Sequence, residues 1–96
     1  MTAKLKTQAD RGNRAKRLLE NELFSEALEK IENDIVEAWK RSGGRDEDQR
    51  RNAYLMLRLF QNFKQHFITI INTGQHAEKE LLKLREKSKL RRMINV

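Results

Sequence analysis

An all-α protein, folded as an antiparallel two-helix hairpin with a long second helix, is the fold class that three observations predict. Proline is absent and only four glycines occur in 96 residues, so the chain has few places to turn. Two long stretches repeat their apolar residues every three or four positions, the period of one helix face. Hydrophobic residues (38%) nearly match charged ones (36%), the balance of long amphipathic helices with much exposed surface. A chain of this size is one domain at most, and two helices bury only a thin core.

The expected order is a basic arm over residues 1–12, a helix over 13–42, a short turn, a second helix over 46–91 and a tail over 93–96. Asn13, after Gly12, is the expected N-cap of the first helix. Its seam is Phe24, Leu28, Ile31, Ile35 and Ala38, widened by Leu19, Leu23, Ala27 and Trp39. Ser42-Gly43-Gly44 ends it, with a glycine in the left-handed conformation that closes helices cheaply. Asp46 and Gln49 stand at capping-box spacing and open the second helix. Its seam is expected at Met56, Leu59, Phe63, Phe67, Ile70, Gly74, Ala77, Leu81 and Leu84. Asn72-Thr73-Gly74 is a possible break, but the phase passes through it, which favours one continuous helix. Gly74 then marks a close approach of backbones at which alanine is tolerated and leucine is not.

Self-association follows from an area argument. From Ala53 to Ile71, twelve of nineteen residues are apolar or aromatic, and one partner helix covers a stripe only about 100° wide. Leu57, Phe60, Ile68 and Ile71 lie beside the expected seam and need cover. With Gly74 and Ala77 they form the predicted homo-oligomer interface, in which hairpins associate as a helical bundle.

The net charge of +7 is unevenly spread. Residues 1–17 carry six Lys/Arg against Asp10, residues 18–39 carry seven acids against Lys30, and Lys79 to Arg92 carry seven cations against two acids. Antiparallel helices bring the two basic ends together as one pole. Arg14, Lys16, Arg17, Lys83, Arg85, Lys87, Lys89, Arg91 and Arg92 are its candidate nucleic-acid contacts, supported by Lys4, Lys6 and Arg11, and they act by neutralising phosphates. The plain alternative is a solubilising surface.

Other chemistry finds no support. No cysteine is present, which excludes disulfides and thiolate metal sites. His66 and His76 lack the three or four convergent ligands of a metal site and are read as surface residues. Ser25, Ser42 and Ser88 have no nucleophile context, and no glycine-rich phosphate loop occurs. No cofactor, no metal and no enzymatic activity are expected. Phe24, Phe60, Phe63 and Phe67 are expected in the core. Trp39 and Tyr54 are expected to pack across the turn, although Tyr54 among Arg50, Arg51 and Arg58 also suits stacking on a base. The first residues lack the apolar core of a signal peptide, and no eighteen apolar residues run together, so no membrane role and a cytoplasmic protein are expected.

The stretch Arg14-Ala-Lys-Arg-Leu-Leu-Glu-Asn followed by Phe24, the trio Glu37-Ala38-Trp39, Arg45-Asp46 and the late Thr73-Gly74-Gln75 resemble small proteins of the structural gene blocks of tailed bacteriophages and gene transfer agents. Some of those look like small terminase subunits, helical-hairpin oligomers that bring DNA to the packaging motor. The resemblance implies a protein of DNA packaging or virion assembly, in host cytoplasm or virion. No helix-turn-helix precedes the hairpin here, which leaves contact with the DNA backbone rather than base readout. The second reading is an adaptor or inhibitor that docks on a host or viral protein through the acidic face of the first helix.

Overall fold

The computed structural model describes residues 2–44 and 46–94, and all regular structure among them is helical: α1 (Thr2–Glu20), α2 (Glu22–Arg41) and α3 (Glu47–Ile94). Three helices stand where two were expected. The presumed arm is helical from Thr2, and Asn13 sits inside α1 rather than capping it. The break falls at Asn21, whose backbone is extended (φ −64°, ψ 125°) and whose Oδ1 accepts from the Phe24 N–H at 2.9 Å. Asparagine competes poorly inside a helix and well at its N-terminus, because its side chain replaces a missing backbone acceptor. At the far end Ser42 closes α2, its N–H donating to the carbonyls of Ala38 and Trp39. No described glycine has a positive φ, so the left-handed closure expected at Gly43 or Gly44 is not how α2 ends. Asp46 Oδ1 accepts from the Gln49 N–H at 3.0 Å and so caps α3. α3 then runs as helix through Gly74 and includes Met93 and Ile94. Of the expected arm and tail, Met1, Asn95 and Val96 lie outside the described residues, as does Arg45 of the turn.

The chain divides into two compact units, Met1–Arg17 with Ile68–Val96, and Leu18–Phe67. In the first, α1 buries Ala9, Gly12 and Ala15, spaced three apart on one face, and α3 buries Gly74 and Ala77, the latter fully. Small residues let the two backbones touch. A Cβ placed on Gly12 would stand 2.8 Å from Gly74 Cα, and one placed on Gly74 would stand 2.7 Å from Gly12 Cα and 2.9 Å from the Gln8 carbonyl oxygen. Alanine at position 74 therefore has no room, contrary to the sequence expectation. One polar contact flanks the crossing: Asn13 Nδ2 donates to Glu78 Oε1 at 2.9 Å.

In the second unit, contacts climb α3 as they descend α2. Trp39 and Val36 share one hollow with Ala53, Tyr54 and Leu57. Lys64 Nζ meets Glu32 Oε2 at 2.7 Å, and the Phe24 ring stands edge-on to Phe67 at 6.0 Å. Phe67 in turn meets Phe63 edge-on at 5.2 Å. Edge-to-face aromatic pairs of this kind contribute roughly 0.5–1.5 kcal/mol each beyond their burial. Ile35, Ala53 and Phe60 are buried, while Trp39 and Tyr54 line their hollow half exposed.

The first part of the α3 seam is displaced from the one expected. Phe67, Ile70, Gly74, Ala77 and Leu81 are covered as expected. Before Phe67, however, the covered residues are Ala53, Leu57, Phe60 and Lys64, with Ile71 beside Ile70, whereas Met56, Leu59, Phe63 and, at the far end, Leu84 are exposed. Lys64 is the cause. A lysine in the seam hides the true phase from an apolar count. It is accommodated because its ammonium pairs with Glu32 and stands 5.7 Å from the centre of the Phe60 ring.

Candidate functional site

The first unit gathers the charge. It contains thirteen Lys/Arg against Asp10, Glu78, Glu80 and Glu86, a net of +9, while the second has eight cations against ten acids, a net of −2. All thirteen cations are exposed. Arg14 lies 3.7 Å from Asp10, and Lys83 lies 3.4 Å from Glu80. Both pairs are solvated and hold their cations weakly. The other seven predicted contacts, Lys16, Arg17, Arg85, Lys87, Lys89, Arg91 and Arg92, have no ion-pair partner among the described residues.

Helix geometry arranges the C-terminal cations in two rows. Every residue of α3 from Leu82 to Ile94 is exposed, a solvated helical segment roughly 20 Å long at about 1.5 Å per residue. Arg85, Lys89 and Arg92 share one side by their i, i+4, i+7 spacing, and Lys83, Lys87 and Arg91 share nearly the opposite side. Arg91 and Arg92 in the last turn also complement the helix dipole, a structural role that needs no ligand. Chemically, such a segment presents point charges and guanidinium forks to a polyanion from two directions.

The predicted oligomer interface is redistributed. Phe60, Gly74 and Ala77 are buried within the chain, and Leu57 and Ile71 are half covered, leaving Ile68 as its exposed member. They pack inside their own units: Leu57 lines the hollow beside Trp39, and Gly74 abuts Gly12. The apolar side chains in need of cover are others. Ile31, Met56, Leu59 and Phe63, with Leu28, Ile35 and Phe60 at the base, line an open groove of about 360 Å³. Sequence reasoning assigned Met56, Leu59 and Phe63 to the seam, and so missed them as surface.

The α2 surface is acidic. Glu22, Glu26 and Glu29 stand one or two turns apart on one side and have no ion-pair partner among the described residues. Lys30 is engaged by Asp34 at 2.9 Å, and that hydrogen bond, with the charge behind it, holds the lysine pKa above its usual value. Lys40 stands 3.7 Å from Glu37. His66 packs its ring against Phe67 at 6.0 Å. Among the described residues no three acids or histidines converge as metal ligands do, and no helix is long and apolar enough to cross a membrane. No family model, curated protein or solved structure matches the chain.

Proposed function

We propose that the protein is a non-enzymatic, self-associating helical protein that holds nucleic acid non-specifically and assists phage-type DNA packaging or virion assembly. One observation carries the reading: a unit of net charge +9 whose cations are all exposed and mostly unpaired. Phosphate neutralisation and counterion release reward such a surface whatever the base sequence. The packaging role itself rests on the resemblance of Arg14–Asn21, Glu37–Trp39 and Thr73–Gln75 to small phage proteins. In this reading α2 and the first part of α3 act as a helical hairpin, which completes its core by bundling with other copies.

The test is retention on duplex DNA at several salt concentrations. Wild-type protein is expected to bind, with log affinity falling linearly against log salt. Replacing Arg85, Lys89 and Arg92 by glutamine is expected to reduce that slope by about 0.9 for each phosphate no longer neutralised. Changing the probe's base composition should leave affinity nearly unchanged, because nothing here is placed to read base edges. If no complex forms at moderate salt, nucleic acid is not the partner. The unpaired row Glu22, Glu26 and Glu29 favours the second reading in that event: a protein adaptor or inhibitor docking through α2.

A further inference from the structure

The open groove of the second unit carries an inference about the manner of self-association, and it rests on the self-association just proposed. Five large apolar side chains stand there largely in water: Leu59 is 72% exposed, Met56 56%, Leu55 55%, Phe63 48% and Ile31 47%. Ile31, Met56, Leu59 and Phe63 line the groove itself. Leu55 stands one helical turn before Leu59 on the same side of α3. Taking about 200 Å² for a fully exposed large side chain, they leave roughly 500 Å² of contiguous apolar surface. That is near the top of what a soluble monomer exposes in one patch.

We infer that this face is where a second copy of the chain docks, groove against groove about a two-fold axis. Area decides for a copy of the same chain. Two such faces together remove roughly 1,000 Å² from water before any polar rim is counted, which reaches the size of a specific interface. Shape agrees. Leu59, the most exposed of the five, borders a hollow of about 360 Å³ lined by Leu28, Ile31, Ile35, Met56, Phe60 and Phe63. The patch thus offers a knob beside a hole, and a two-fold axis places each knob in the other copy's hole, as isologous interfaces require. No charge is stranded by this, because no ionisable side chain lines the groove.

The experiment measures the mass of the full chain in solution by light scattering across the micromolar range. Wild type is expected at no less than twice its 11.4 kDa chain mass. Leu59→Gln is expected to raise the dissociation constant by about tenfold or more, since a lost anchor of about 1.4 kcal/mol has that effect. Its helix content should be unchanged, because Leu59 lies outside the seam. Leu55→Gln, at the edge of the same face, replaces it if Leu59→Gln loses helix. Leu82→Gln alters an equally exposed leucine of the other unit and should leave the mass as it was. A wild type of single-chain mass throughout overturns both this inference and the self-association in the proposed function. An assembled wild type whose mass is untouched by Leu59→Gln and Leu55→Gln, or is lowered as much by Leu82→Gln, overturns the docking face alone. DNA retention, measured on the same samples, tests the nucleic-acid reading separately.

Discussion

Adding one methyl group at position 74 should loosen the chain, although alanine is the better helix former. At an exposed site inside a helix, Gly→Ala gains roughly 1 kcal/mol. Here the new Cβ would stand 2.7 Å from Gly12 Cα and 2.9 Å from the Gln8 carbonyl oxygen, whereas unbonded carbons rest about 3.5–4.0 Å apart. Both obstacles are backbone, so no rotamer change relieves them. α1 has to retreat by about 1 Å, and the packing of Ala9, Ala15 and Ala77 is stretched with it. Overpacking of this kind costs about 1–3 kcal/mol. The cost exceeds the propensity gain, and Gly74→Ala is expected to destabilise the first unit by on the order of 1 kcal/mol. Hydrogen exchange at α1 amides should accelerate over residues 2–17. Urea unfolding at one fixed protein concentration gives the global value, since association would otherwise shift it. Unchanged or slower α1 exchange in Gly74→Ala would falsify the close-approach account.

Substitutions at two further positions probe the second unit. Asn21→Ala removes the side-chain acceptor of the Phe24 N–H and should cost about 1 kcal/mol of unfolding free energy in urea, while Asn21→Asp should retain most of the stability. If alanine is neutral there, the break at Asn21 does not depend on the cap. Lys64→Met keeps an unbranched side chain over Phe60 and gives up a pair whose partners are each more than a third exposed. Screening limits that pair to about 0.5 kcal/mol or less. Lys64→Ala gives up the packing as well and should lower the midpoint further, with Trp39 fluorescence as the readout. Equal losses in the two variants would show that the charge, not the stem, holds the seam.

Helical class was legible in the period of the apolar residues and the scarcity of breakers, and the Asp46 cap was legible from its spacing. The phase of the α3 seam before Phe67 was not, because a count of apolar positions skips Lys64 and lands on Phe63. A stricter pattern was present. Ala53, Leu57, Phe60, Lys64, Phe67, Ile71 and Gly74 alternate steps of four and three without exception, whereas the line through Met56, Leu59, Phe63 and Phe67 takes two fours in succession. Heptad regularity outranks hydrophobicity at a single position when the odd residue is a lysine with a partner across the seam. Asn13 and Asn21 present the same difficulty. Either asparagine is a fit cap by residue type, and the first of them instead lies inside α1, with Gly12 against Gly74 and Asn13 bonded to Glu78. The exposure of the basic stretches was legible because charge needs no phase to be seen. That Phe60, Gly74 and Ala77 are buried within the chain was not legible, because it requires knowing which stripe is already covered.

Among the described residues no large side chain is fully buried, and of the buried hydrophobic residues the one wholly shielded from solvent is an alanine, Ala77. Water therefore reaches much of the apolar surface before the chain unfolds. The heat capacity of unfolding arises from exposing such surface, about 12–15 cal/mol/K per residue in ordinary globular domains. A single copy of this chain has less left to expose, so its stability curve is flat and its melting shallow. If copies associate as proposed, the missing heat capacity reappears in that step, and the assembly rather than the chain becomes the unit that melts cooperatively.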